Sequence, residues 1–168
     1  MKVAFAVVML SLALSDMAAA APSDLHVKVR VDKQTNFSAL RTYAWTRGFA
    51  SLDPDLDTFI VAAIEREFAA VGLIRQETEP ADIVVSYGTV RRSDIDVSAK
   101  RDRSSGMYPE YATGTFNVLI REASSRREIL RARAEVPLDV DIAQLEEHLD
   151  AIIVRIFAHY PTRVSDVP

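Results

Sequence analysis

The chain has 168 residues, 49% of them hydrophobic, with 5 Gly, 7 Pro and no Cys. That is enough to bury the core of a single domain. It excludes fibrous and low-complexity architectures, disulfide staples, thiolate catalysis and Cys-based zinc or iron–sulfur sites. The net charge of −4 is uneven: ten Lys/Arg face six Asp/Glu between Arg91 and Arg133, leaving −8 elsewhere, a balance that argues against nucleic acid as a partner.

Residues 1–20 read as a cleaved signal peptide. Lys2 supplies the positive start, Val3 to Leu14 is an apolar run broken only by Ser11, and small residues around Ala18–Ala21 suit cleavage after Ala20 or Ala21. The run is too short to cross a bilayer, which takes about 20 residues. The expectation is an exported, periplasmic domain over residues 21–168, with no transmembrane helix in the mature form. Lacking a cysteine, the chain also has no site for a lipid anchor at the signal boundary.

After a short linker, Leu25, Val27, Val29 and Val31 alternate with His26, Lys28, Arg30 and Asp32, the period of a half-buried strand. Lys33–Asn36 turns the chain, Phe37–Leu40 makes one helical turn, and Thr42–Trp45 reads as a short strand carrying the single Trp. Asp53-Pro54 opens a helix, with a capping carboxylate before proline at the first helical position. Leu56, Ile60, Ala63, Ile64, Phe68 and Val71 share one of its faces, and Gly72 ends it. Asp82 to Val90 is a strand that Arg91–Val97 extends or pairs with. Ala99 to Thr113 is a polar, charged loop. Thr115–Arg121 and Ile129–Val136 form a hairpin around Ala123–Arg126, with Leu130, Ala132, Ala134 and Val136 on the core side. Asp141 with Gln144 opens a last helix. Its apolar stripe runs from Ile142 through Leu149, Ile153 and Phe157 to Tyr160, and Pro161 stops it. This order predicts an α+β fold, a two-layer sandwich with two long helices packed on one face of a mainly antiparallel sheet.

Val29-Arg30-Val31-Asp32, Asn36-Phe37-Ser38, Arg41-Thr42-Tyr43-Ala44-Trp45, the helix stretch Ala62–Leu73, Pro80–Tyr87, Gly114-Thr115-Phe116, and Ile156-Phe157 with Tyr160-Pro161 follow one another in this order. Together they resemble a family of bacterial exported proteins known as domain of unknown function 4136. The Phe37 to Trp45 piece is the most specific. Many relatives carry a lipid-attachment cysteine that this chain lacks, so membrane tethering is not carried over. Relatives also often hold an aspartate and a tryptophan in the later hairpin, where this chain reads Arg121-Glu122-Ala123 and Ile129-Leu130-Arg131. The resemblance implies a small α+β domain in the cell envelope and lends no activity.

Candidate chemistry is sparse. His26, His148 and His159 lack metal-ligand spacing, so surface and capping roles outweigh ligation. No serine sits in an activated context such as G-x-S-x-G; Ser86 falls inside a strand. Asp53/Asp55 and Asp139/Asp141 stand at helix starts, where capping explains them. Tyr43 and Trp45 share a strand face, and core packing is the usual fate of such a pair. No cofactor, metal or catalytic residue is expected. The basic cluster Arg91, Arg92, Lys100, Arg101 and Arg103, with Arg131 and Arg133 along a later strand, carries two readings. One is an anion-facing surface for an envelope protein or anionic surface component, centred on the loop from Ser98 to Thr113. The other is solvated charge that shields edge strands, locally neutralised by Asp94, Asp96 and Asp102. The expected function is a non-enzymatic periplasmic binding module; the alternatives are an assembly accessory using the open sheet face or an edge strand, and a hydrolase with a dispersed site.

Overall fold

The structure is a computed structural model that describes residues 25–161 apart from 47, 49–50, 52 and 78–79. The expected signal peptide and the linker after it lie outside the described residues.

Six strands form one sheet in the order β1-β6-β5-β4-β2-β3: β1 (Val27–Val31), β2 (Thr42–Trp45), β3 (Ile74–Arg75), β4 (Ile83–Ile95), β5 (Glu110–Glu122) and β6 (Glu128–Pro137). Helix α1 (Pro54–Ala70) lies between β2 and β3, and α2 (Ile142–Phe157) follows β6. The pairings β1/β6, β6/β5 and β5/β4 are antiparallel. β2 instead runs parallel to both β4 and β3. The fold is α+β, as the element order predicts, with a mixed sheet. The parallel part has a simple cause: α1 carries the chain back along the layer before β4 begins, a βαβ crossover that delivers the next strand in the same direction.

Both helices cover one face. Tyr43, Ile83, Val85, Tyr87, Phe116, Val118, Ile120, Leu130, Ala132 and Ala134 point toward them and form one core with Ile60, Ile64 and Phe68 of α1 and Ile152, Ile153 and Ile156 of α2. Phe68 sits at the junction, 4.4 Å from the Tyr43 ring and 5.0 Å from that of Phe157. Burying each large side chain of this kind stabilises the fold by about 1.5–3 kcal/mol. The helix boundaries follow local chemistry. Asp53 accepts hydrogen bonds from the amides of Asp55 and Leu56, Asp141 from that of Gln144, and Gly72 takes a φ of 75° just past the end of α1.

One strand is added to the expected set: β3, two exposed residues at the sheet edge, carries no apolar alternation to announce it. Of the two alternatives for Arg91–Val97, extension holds, and β4 continues through Ile95. The expected loop through Thr113 is shorter, because Glu110–Thr113 pair with Arg92–Ile95 and belong to β5. β4 and β5 therefore make one long hairpin whose tip spans 96–109.

Candidate functional site: the cationic sheet face

The face of the sheet away from the helices is where the basic residues gather. Cross-strand register places Lys28 opposite Arg133 and Arg30 opposite Arg131. On the same face β5 contributes Arg121 and β4 contributes Arg92, separated from the β1/β6 cations by Leu119, Asn117 and Thr115. Six cations thus share this face with Asp94, Glu128 and Glu135, a net +3. Partial neutralisation is visible: Arg131 pairs with Glu128 at 2.5 Å, Arg133 with Glu135 at 3.7 Å, and Arg92 with Asp94 at 2.7 Å and Glu135 at 3.6 Å. Lys28, Arg30 and Arg121 have no carboxylate partner among the described residues. Two like-charge pairs stand directly opposite one another, an arrangement that costs stability in a sheet.

The predicted cluster is divided by this geometry. Arg91 and Arg92, adjacent on β4, project to opposite sides of the sheet. Only Arg92 joins the cationic face. Lys100, Arg101 and Arg103 stand at the hairpin tip, where two aspartates organise the turns. Asp96 accepts from Ser98 and Ala99, and Asp102 from Ser104 and Ser105. The Ser104 hydroxyl, together with the amides of Ser105 and Ser104, holds the Asp102 carboxyl down at about 2, so the tip carries a fixed negative charge among its cations. Hydrogen bonds from Ser98 act on Asp96 in the same direction. Arg101 lies 4.6 Å over the Tyr108 ring. Ile95, Val97 and Met107 are exposed around it. With its three cations set against Asp96 and Asp102, the tip is only weakly positive. Sequence reading missed Lys28 and Arg30, whose place beside Arg133 and Arg131 depends on pairing between strands about a hundred residues apart.

A second feature lies at the other end of the sheet. Trp45, Thr46, Gly48, Asp57, Val61, Arg75 and Tyr87 line a cleft of about 300 Å³. The side chains of Trp45, Arg75, Tyr87 and Asp57 are matched within the chain. The Trp45 indole N–H donates to Glu65 at 2.8 Å, Arg75 bonds the same carboxylate oxygen at 2.7 Å, and the Tyr87 hydroxyl donates to Asp57. Tyr43 lies deep in the core and Trp45 at its border, edge-on to Tyr87 at 6.1 Å, so the pair is structural. Asp82 is another structural carboxylate, accepting from the amides of Arg41 and Thr42 at 2.7 and 2.9 Å and from the Thr42 hydroxyl at 3.1 Å. It clamps the start of β2 to the start of β4. Burial pushes its carboxyl up, and the Arg41 and Thr42 hydrogen bonds outweigh this to leave it below the usual range.

Ser86 lies on the open face opposite Leu119. His159 Nδ1 is 2.9 Å from the Arg155 carbonyl in the last turn of α2. Among the described residues no group of three His, Cys, Asp or Glu is placed to hold a metal ion, and no helix is long and apolar enough to cross a membrane.

The family model for domain of unknown function DUF4136 matches residues 27–162, from the first strand to just beyond the last helix. The chain belongs to this family. Among solved structures, a DUF4136 family protein from Bacteroides thetaiotaomicron superposes with a TM-score of 0.58 at 12% identity, covering 82% of this chain and 96% of that one. A PDZ domain protein from Parabacteroides distasonis superposes with a TM-score of 0.54 at 16% identity over 82% of this chain, which spans 37% of that longer protein. PelC from Paraburkholderia phytofirmans, solved as a dodecamer, gives a TM-score of 0.50 at 10% identity, covering 79% of this chain and 96% of that one. At such identities the likeness is one of fold. No curated protein matches the sequence.

Proposed function

We propose that this DUF4136 domain is a non-enzymatic periplasmic module of the cell envelope that docks an acidic partner on its open, cationic sheet face. The single observation behind this is the set of like charges on neighbouring strands: Lys28 opposite Arg133 and Arg30 opposite Arg131. Edge shielding accounts for cations on β1, which is an edge strand. It does not account for Arg131 and Arg133 on β6, an interior strand, facing those of β1. Repulsion of this kind is relieved when an anionic surface covers the face. The envelope location is supported by the export address read at residues 1–20. The hairpin tip, first choice from sequence, becomes a secondary contact, its Lys100, Arg101 and Arg103 being interleaved with Asp96 and Asp102.

The test is binding of the purified chain to envelope fractions of its native host at low salt and at about 0.5 M salt, where the Debye length falls to about 4 Å. The expected result is binding at low salt, release at high salt, and loss at both on Arg131→Glu with Arg133→Glu. Binding insensitive to salt and to both reversals would refute the reading. A second reading, that the partner is another copy of the chain, draws support from the dodecameric assembly of the PelC fold relative.

A further inference from the structure

The two layers of the domain carry opposite charge. Helix α1 with its cap holds Asp53, Asp55, Asp57, Glu65 and Glu67 against one Arg, and α2 with its cap holds Asp141, Glu146, Glu147 and Asp150 against one Arg, a net −7 for the helix layer. Asp57 and Glu65 turn toward the sheet, where they meet Tyr87 and the Trp45 and Arg75 side chains, and the other seven carboxylates also stay outside the buried core. Asp55 and Glu147 are exposed, and Asp150 is half-exposed where it meets Arg66 at 2.8 Å. The opposite side, the open sheet face, stands at net +3. A domain so polarised, acidic on one broad side and basic on the other, is complementary to itself by translation or rotation, but not by facing like side to like side. Sheet against sheet brings cations together, and helix layer against helix layer brings carboxylates together. Only sheet face against helix layer joins opposite charges.

We infer that the acidic partner of the sheet face is the helix layer of a second copy of this chain, in a heterologous, head-to-tail contact. This rests on the docking reading above and names its occupant. A heterologous contact leaves one basic and one acidic side unsatisfied in every dimer. Addition therefore continues until a ring closes or a filament grows. The uncompensated cations of β1 match this arrangement. Lys28 and Arg30 find no carboxylate within their own chain among the described residues, while the carboxylates of α1 and α2 outnumber the cations beside them. The contact is electrostatic in origin and therefore screened by salt.

The experiment is sedimentation velocity on the purified chain at low ionic strength and at about 0.5 M salt, with two variants whose folds are checked by circular dichroism. One variant carries Arg131→Glu and Arg133→Glu, reversing the sheet face. The other carries Glu146→Lys, Glu147→Lys and Asp150→Lys, reversing the exposed side of α2. The wild type is expected to form species larger than a dimer at low salt and to dissociate at high salt. Each variant alone is expected to be monomeric. Mixed, they are expected to assemble again into alternating species larger than a dimer, since the native acidic side of one meets the native basic side of the other and the two reversed sides are themselves opposite in charge. Should a variant fail to fold, the wild-type salt series decides by itself. A wild type that is monomeric at low salt, or a helix-layer variant that assembles as the wild type does, would overturn the inference. A monomer that still binds envelopes in a salt-dependent way would retire self-association while leaving the docking reading standing. A chain that does neither would remove both.

Discussion

If the sheet-face cations are present for docking, removing the least compensated of them should make the isolated domain more stable. Lys28 and Arg30 are the test residues, because each is exposed, stands opposite an arginine and lacks a carboxylate partner among the described residues. A like-charge cross-strand pair costs roughly 0.2–1 kcal/mol. Coulomb repulsion between charges held about 7 Å apart at the dielectric of water is about 0.6 kcal/mol, in the middle of that range. Arg131 and Arg133 already lean toward Glu128 and Glu135, which lowers the repulsion they exert. The double variant Lys28→Thr with Arg30→Thr is thus expected to gain about 1 kcal/mol at low salt, or a few degrees in Tm. Threonine suits an exposed strand position and adds a salt-independent gain of its own. The salt-dependent part is therefore the readout. Urea unfolding followed by the fluorescence of Trp45, the single tryptophan, at low salt and at 1 M salt separates the two when run at a protein concentration at which the wild type sediments as a monomer, so that association adds nothing to its stability. The advantage of the variant should shrink by more than half at 1 M, where the Debye length is about 3 Å. The same variant should lose binding at low salt. A variant less stable than the wild type at low salt, or an advantage equal at both salts, would refute the argument that these cations strain the face.

Asp82→Ala removes three hydrogen bonds that join the starts of β2 and β4 and should cost about 1–2 kcal/mol, discounted for partial exposure. Because the folded carboxyl lies below its unfolded value of about 3.9, its contribution is complete above that pH and is lost as pH falls through the folded value. The alanine variant should show a flatter acid limb in stability against pH. Ile153, with no exposed surface, should cost about 2–5 kcal/mol on conversion to Ala, whereas exposed Val154 beside it should change stability by less than about 0.5 kcal/mol, both read by urea unfolding. At the hairpin tip, the depressed Asp102 carboxyl keeps its turn intact as pH falls from about 4 toward about 2, below which the turn loosens. Local opening of the tip, read as lost hydrogen-exchange protection at Ser104 and Ser105, should set in as pH falls through about 2, and Asp102→Ala should show the lost protection already at neutral pH.

Much of the fold was legible because its signals are local. The Asp53-Pro54 cap, the 3.6-residue stripe through Ile60, Ile64 and Phe68, and the alternation of Leu130, Ala132, Ala134 and Val136 all state their element within a few residues. What was not legible depends on long-range pairing. Ile74 and Arg75 become a strand only because the Ile74 amide reaches the Arg41 carbonyl at 2.9 Å and the Gln76 amide reaches that of Tyr43 at 2.7 Å. The parallel direction of β2 follows from the path of α1, which no residue pattern within β2 reports. The candidate site divides in the same way. Arg131 and Arg133 were visible as an alternating pair, but Lys28 and Arg30 join them only through the β1/β6 register. Reading Arg91 and Arg92 as one cluster overlooked that neighbours on a continuous strand face opposite ways. The polar stretch after Arg92 concealed that β4 continues to Ile95, since a hairpin arm extending past the helices has no buried face to impose apolar alternation.

The most direct test of the sheet face as the docking surface is photo-crosslinking in living cells of the native host. The crosslinking residue is placed in turn at Arg133 on that face, at Arg101 in the tip and at exposed Ile74 on the far edge. The docking account predicts a discrete heavier species from Arg133, a weaker one from Arg101 and none from Ile74. Silence at Arg133 with capture at Arg101 or Ile74 would contradict it.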